Sequence, residues 1–367
     1  MRIAFDCQTF VLQAYGGISR YFTQLTRGLL GLEQQVAIFA PLHRNRHLLT
    51  LPSEVTCGRY RTDYPRKTTR LFLAYNKLAS RSRIARWKPD VMHETYYART
   101  GSAPRTCPTV VTVHDMTHEL FPTEFPATDR TAAVKRIAID RADHVICVSE
   151  NTKSDLMRLY GTSASKLSVV YHGFDQWELP TNARRPMAPG SKPFLLYVGE
   201  RRGYKNFAGL LRAVALSKRL LSDFDIVAFG GPKFSSVELR LIISLGMTGD
   251  RVLHKTGDDE LLGSLYSAAR ALVYPSLYEG FGLPPLEAMA HRCPVVSSNS
   301  SAMPEIIGCA AEYFKPGDTD DMRRAIEAVV YFDSRAESLR NSGAERLSTF
   351  SWKKCVQETS QVYESLI

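Results

Sequence analysis

Several absences narrow the class of this chain before any motif is considered. Its 367 residues contain no apolar run of about 18 or more, so no membrane-spanning helix is expected. The opening Met-Arg-Ile-Ala-Phe-Asp reads as a short strand, charged too early for a signal peptide. No Cys-x-x-Cys pair occurs. The seven cysteines, at 7, 57, 107, 147, 293, 309 and 355, are dispersed and odd in number. That pattern suggests neither a zinc site nor a redox pair and fits a reducing cytoplasm. No His/Asp cluster has metal-ligand spacing, so neither a metal nor a cofactor is expected. Zinc-finger and helix-turn-helix patterns are missing, which ranks nucleic acid last among partners. Low-complexity segments and short repeats are missing too.

What remains is a globular composition, 44% hydrophobic and 23% charged, long enough for two domains. Apolar strands alternate with helical segments in both halves. Strands are expected at 2–6, 35–40, 91–93, 109–114, 144–149 and 169–172, then at 194–199, 225–230, 252–254 and 271–274. Helices are expected between them, and over 318–330 and 336–347 near the end. This α/β alternation implies parallel sheets covered on both faces. The boundaries read from it are a first domain over 1–176, a proline-rich linker over 177–193 and a second domain over 194–350. Two such domains would place a cleft at the carboxyl ends of their strands, where ligands bind.

The net charge of +10 is unevenly placed. Between Arg59 and Lys88 ten cationic residues face only Asp63, with Tyr60, Tyr64, Phe72, Tyr75 and Trp87 interleaved. A solvated helix face is the ordinary explanation of such a run. An anionic membrane surface is the alternative that the aromatics favour.

The densest functional signal is Glu-Gly-Phe-Gly-Leu-Pro-Pro-Leu-Glu at 279–287. It follows the apolar strand at 271–274 and leads into a helix expected from Leu286. Strand, glycine-rich turn and helix start aim backbone N–H groups at an anion. Gly280 and Gly282 permit close backbone approach, and Pro284 and Pro285 suit a first helical turn. Two carboxylates flanking an anion-binding turn make sense if they meet hydroxyls or a cationic centre, as in a nucleotide-sugar. Gly199-Glu-Arg-Arg-Gly-Tyr-Lys-Asn206 places Arg201 and Lys205 after the first strand of the second half, where they could neutralise a diphosphate. His114 closes a strand ahead of Asp115, which could orient its ring. Gly16-Gly17 precedes a helix, and Gly230-Gly231-Pro232 ends a strand.

The 279–287 string, with 294–305 and 310–318, resembles the Glu-x7-Glu signature of retaining glycosyltransferase family four. The resemblance implies the GT-B fold: two Rossmann-like domains with parallel sheets facing a central cleft, and a final helix, 351–367, crossing back to the first domain. It also implies roles. Glu279 faces the donor sugar, and Glu287 binds the ribose hydroxyls. Phe281, Gly282 and Leu283 offer backbone amides. Arg201, favoured over Arg202, and Lys205 hold the diphosphate. His114 contacts the donor sugar. Gly16 and Gly17 form a loop toward diphosphate and acceptor, and Gly230 and Gly231 let the nucleoside pack close. His172-Gly-Phe-Asp175 resembles the turn ending the family's first domain and is taken as structural.

Gly-Gly-Ile-Ser-Arg-Tyr at 16–21, with Tyr-Val-Gly-x-Arg-x-x-Tyr-Lys-Asn at 197–206, looks most like bacterial mannosyl- or rhamnosyltransferases of surface polysaccharide assembly. The expected activity is therefore retaining, metal-independent transfer of a hexose, from GDP-mannose or a GDP-deoxyhexose, to a glycan or polyprenyl-diphosphate-linked acceptor. The expected location is cytoplasmic and peripheral on the inner membrane face. UDP-sugar donors, an epimerase or phosphorylase on the same fold, and a non-catalytic glycan- or membrane-binding scaffold stay open as rivals.

Overall fold

The structure is a computed structural model that describes residues 1–62, 64–65, 67–104, 106–174 and 192–367. Most of the expected linker (177–191) and Asp175 lie outside the described residues. The chain forms two compact units. Unit 1 comprises Met1–Leu120, Pro126–Gly173 and Phe350–Ile367; unit 2 comprises Phe121–Phe125 and Phe174–Thr349.

The strands of unit 1 are β1 (Arg2–Phe5), β2 (Gln35–Ile38), β3 (Leu42–His43), β4 (Arg59–Tyr60), β5 (Val91–Glu94), β6 (Thr109–Val113), β7 (His144–Cys147) and β8 (Leu167–Val169). Six of them make one parallel sheet in the order β2-β1-β5-β6-β7-β8, with Ile3 opposite both Val36 and Val91. β3 and β4 pair separately. Burial on both faces explains the near-continuous apolar strands: every residue of β5 and β6 is buried. Unit 2 repeats the plan with β9 (Phe194–Val198), β10 (Asp225–Phe229), β11 (Val252–Lys255), β12 (Ala271–Tyr274), β13 (Val295–Ser298) and β14 (Ala311–Phe314), ordered β11-β10-β9-β12-β13-β14 and all parallel.

The last helix, Trp352–Glu364, is built into unit 1. Ser351 caps it by accepting from Lys354 N–H at 3.2 Å. Two glycines let it approach: a Cβ on Gly28 would meet Val356 at 2.3 Å, and one on Gly173 would meet Trp352 at 2.4 Å. Its buried Tyr363 hydroxyl lies 2.6 Å from His93 Nδ1, while His93 Nε2 lies 2.8 Å from Thr112 Oγ1. A terminal helix is thereby hydrogen-bonded to the middle of the sheet.

Several elements depart from expectation. The strand expected at 169–172 is Leu167–Val169. The helix expected over 206–218 stops at Ala215, and a second one, Lys218–Asp223, starts where Ser217 accepts from Leu220 N–H. A short helix, Gln8–Leu12, separates β1 from Gly16-Gly17. β13 and β14 were not anticipated as strands. The serines of β13 disguise it, yet Ser298 is buried because its hydroxyl donates to Ser276 O at 2.5 Å. Residues Phe121–Phe125, read as part of a continuous first domain, group with unit 2.

His93 gives a pH test of the helix dock. Burial pushes its imidazole down to about 3, against an ordinary value of 6.5, so the native state keeps it neutral. Below pH 6.5 the unfolded chain binds a proton there that the native chain does not, and stability falls as pH drops. In denaturant titrations, the stability advantage of wild type over His93→Gln should shrink by about 2 kcal/mol between pH 6.5 and 5. An advantage that does not change with pH would contradict the neutral, buried assignment.

Candidate functional site

The strand order of unit 2 reverses between β9 and β12, so the loops leaving their carboxyl ends diverge and open a crevice. The loop after β9 carries Lys205, at the end of the short 3-10 turn Gly203–Lys205. The loop after β12 carries Glu279. Lys205 Nζ donates to both carboxylate oxygens of Glu279, at 2.6 and 2.9 Å. Leu277 N–H donates to Tyr204 O at 2.7 Å and stitches the same two loops. Glu279 is fixed from behind: its N–H donates to Ser301 Oγ at 2.8 Å. Tyr274 hydrogen-bonds to its carboxylate, and burial followed by that carboxylate holds the Tyr274 phenol well above its ordinary value.

Arg201 is placed differently from Lys205. Its side chain is only 3% exposed. Nε donates to Glu238 at 2.6 Å, Nη1 to Gly230 O at 2.9 Å and Nη2 to Pro232 O. The guanidinium also lies over the Phe234 ring, 4.8 Å from its centroid. Arg201 thus ties the β9 loop to the glycine turn after β10. Gly230 and Gly231 hold φ of 92° and 67°, which glycine adopts at little cost, and His254 Nε2 reaches their carbonyls at 3.1 and 3.2 Å. Glu238 also closes a capping box with Ser235 on the helix Ser236–Ser244. Arg202 is the solvent-facing arginine, 41% exposed and paired with Glu200. Pro122–Glu124 forms a 3-10 turn against this loop: Gly203 N–H donates to Glu124 at 2.9 Å, Arg202 lies over Phe125, and the Phe121 ring is 5.5 Å from that of Tyr204. Nothing in the local sequence pointed to that brace.

The helix Leu283–Ala290 begins three residues earlier than expected, because Pro284 and Pro285 occupy its first turn, where no N–H is needed. Gly282 caps it at φ 100°, with no room for a Cβ: Met303 Cε would sit 2.5 Å away. Phe281 is buried beneath the turn. The N–H groups of Gly282 and Leu283 meet no acceptor among the described residues and point positive potential out of the helix start. Glu287 lies one turn into the helix, its carboxylate receiving the buried Tyr266 hydroxyl at 3.0 Å.

The unit 1 residues gather at the carboxyl ends of its own sheet. Gly16 caps the helix Gly17–Gly31, where Gln13 Oε1 accepts from Ser19 N–H at 3.1 Å and the Gly17 and Ile18 N–H groups meet no acceptor among the described residues. His114 follows β6. It stacks on His172 at 5.5 Å, meets Tyr21 edge-on, and has a buried Nε2 with no hydrogen-bond partner among the described residues. Burial pushes its imidazole down to about 4. Asp115 accepts from Thr117 N–H at 2.9 Å. Burial works against its charge, but Lys135 and Thr117 outweigh that and hold it below its ordinary value. Two buried carboxylates went unread in the sequence. Asp6 follows β1 and accepts from Thr95 and Gln8. Glu94 ends β5 beside Arg141, and burial, then Asp6, push it up to about 7.

The chain does hold two Asp-x-Asp triplets, Asp223–Asp225 and Asp318–Asp320, which the metal-free expectation overlooked. Neither lies in the loops described above. Asp225 opens β10 at its amino end and is paired with Arg251, and Asp318 caps the helix Thr319–Val330.

Most of the chain matches known family models. Residues 15–177 match the family model described as Glycosyltransferase Family 4, and residues 180–346 match Glycosyl transferases group 1. The chain is similar to O-antigen chain mannosyltransferase B of Escherichia coli, 30% identical over 269 residues that cover 70% of each protein. It is 26% identical over 297 residues to O-antigen chain mannosyltransferase RfbU of Salmonella typhimurium, covering 75% of this chain and 81% of that one. Its fold resembles that of Anabaena HepE, solved in complex with UDP and glucose, with a TM-score of 0.73, 18% identity and full coverage of both chains.

The internal contacts of Arg201 imply that it shapes the site. Arg201→Ala strands Glu238 and two carbonyls and should cost about 1–3 kcal/mol, read as a lower melting temperature without any ligand. An unchanged melting temperature would show that the guanidinium is free to serve a ligand instead.

Proposed function

The chain belongs to glycosyltransferase family 4, and from that premise we propose that it is a retaining mannosyltransferase acting on GDP-mannose or a related GDP-deoxyhexose. The observation that carries the reading is the Lys205–Glu279 pair at the divergence of the β9 and β12 loops, one turn from the Gly282–Leu283 amides. Lys205 meets the donor diphosphate from one side and the helix-start amides meet it from the other. Charge on the diphosphate grows as the bond to the sugar C1 breaks, so groups aimed there act mainly on the transition state. Glu279 stabilises the positive charge that develops on the sugar. Glu287, its rotamer fixed by Tyr266, accepts from the ribose hydroxyls.

In a same-face transfer the acceptor oxygen bonds to C1 as the C1–O bond to phosphate breaks. The acceptor proton passes to the departing phosphate oxygen. His114, in unit 1, is neutral at physiological pH and offers an uncharged imidazole to a substrate hydroxyl. Lys205 and the helix-start amides together supply the positive charge the diphosphate needs, which makes the reaction metal-independent in this reading.

The two similar O-antigen mannosyltransferases support mannose as the sugar. HepE, solved with UDP and glucose, favours a UDP-sugar as the second reading. The acceptor is a glycan of surface polysaccharide assembly carried on a polyprenyl diphosphate. The protein meets it in the cytoplasm at the inner membrane face, where residues 59–88 attract anionic lipid. No helix among the described residues is long and apolar enough to cross a membrane.

A nucleotide panel tests the donor. GDP should raise the melting temperature more than UDP, and Glu287→Gln should weaken GDP binding in calorimetry by about 1.5–3 kcal/mol, the range for charge-assisted bonds. Stronger stabilisation by UDP would move the donor to the second reading. Unchanged GDP affinity in the variant would remove Glu287 from the ribose. Independently, EDTA should leave sugar transfer intact; complete loss restored by magnesium or manganese would contradict a diphosphate held by Lys205 and amides alone.

A further inference from the structure

Unit 1 holds an unassigned cavity of about 750 Å³ on the flank of its sheet. It runs from Arg2, at the amino end of β1, past the segment that follows the edge strand β2, and along the helix Thr69–Trp87. Arg2, Arg59, Arg83 and Arg86 all line it. Some arginines elsewhere are matched by carboxylates, as Arg141 is by Glu94, Arg251 by Asp225 and Arg270 by Asp333. Among the described residues none of these four guanidinium groups has an acidic partner. Arg2 Nε is buried without a hydrogen-bond acceptor among the described residues. Its guanidinium lies over the Trp87 ring at 5.0 Å, and Phe39 packs edge-on to that ring at 5.9 Å. Four like charges around one cavity repel each other, and a bound polyanion relieves that repulsion. Planar guanidinium forks match phosphate oxygens two at a time.

The same helix carries a second feature. Leu71, Tyr75 and Leu78 fall at helical spacing and are 70%, 52% and 76% exposed. They form an outward apolar stripe with Arg70, Lys77 and Arg81 beside it, the composition of a helix lying in a membrane interface. Tyr75 belongs to both stripe and cavity lining.

We propose that this cavity is a headgroup pocket for a membrane lipid that ends in a diphosphate. The four arginines grip its phosphates, the wall of Phe39, Leu42 and Trp87 takes the first part of its chain, and Leu71, Tyr75 and Leu78 enter the lipid surface. The pocket rests on the membrane-facing reading above only for the source of its ligand. A spread-out basic face would respond to total surface charge; this pocket responds to a terminal diphosphate.

The test is co-sedimentation of the full chain with phosphatidylcholine vesicles that contain either farnesyl diphosphate or phosphatidylglycerol, matched in total negative charge. Wild type should bind the diphosphate vesicles about tenfold or more tightly than the phosphatidylglycerol vesicles. Arg83→Ala/Arg86→Ala, at two exposed positions, should lose that preference and keep its thermal shift with GDP. Leu71→Ser/Leu78→Ser should weaken binding to both vesicle types alike. Soluble farnesyl diphosphate should compete better than inorganic diphosphate. Equal binding to the two charge-matched vesicles, an unaffected arginine variant, or equal competition by inorganic diphosphate would each overturn the lipid pocket. The nucleotide thermal shift is read on the same samples, so failure of the donor reading shows separately from failure of the pocket.

Discussion

The ion pair between Lys205 and Glu279 is the interaction that joins the loops after β9 and β12 of unit 2. Both side chains are largely withdrawn from water, 19% and 12% exposed. Opposite charges about 4 Å apart attract by about 4 kcal/mol at an effective dielectric near 20, but desolvating the two groups costs several kcal/mol in return. The pair is therefore a poor way to gain stability. Its value is positional: it holds an ammonium and a carboxylate between two loops that the strand order would otherwise let drift apart. Leu277 N–H on Tyr204 O fixes the same junction through the backbone.

The surroundings make sense as support for that junction. Arg201 spends its donors on Glu238 and on the glycine turn after β10, so the loop bearing Lys205 is anchored at its base. Glu124 and Phe121 brace the next residues from a segment far away in sequence. Gly282, held at φ 100° against Met303, turns the chain so that a helix start faces the same crevice. A cation, a carboxylate and amides without an acceptor among the described residues are thus presented by two loops, each fixed by contacts other than those it offers to a ligand.

Much of this was legible in the sequence, and the failures are instructive. Glycines and prolines mark backbone geometry directly, so 279–287 announced a turn and a helix start, though the start was expected three residues late, at Leu286. Lys205 and Glu279 could be named from their loops because parallel strands deliver their carboxyl ends to one edge. Residue type could not say which of two adjacent arginines turns inward. That depends on Glu238 and Pro232, which lie 37 and 31 positions away from Arg201. The 121–125 brace was invisible for the same reason. The strand Val295–Ser298 was missed because its serines look like a turn until Ser276 is seen to accept from one of them. The basic run 59–88 was visible as charge, but its division into an unmatched arginine cavity and an exposed apolar stripe needed coordinates.

The most direct test of the central claim is a double-mutant cycle on Lys205→Met and Glu279→Gln, measured as turnover at saturating donor. If the two groups act as one unit on the departing sugar, each single change should cost about 10²–10³-fold and the double variant little more than the worse of the two. Strictly additive losses, or near-wild-type turnover in either single variant, would show that the pair only holds the loops together and that the charge handling lies elsewhere.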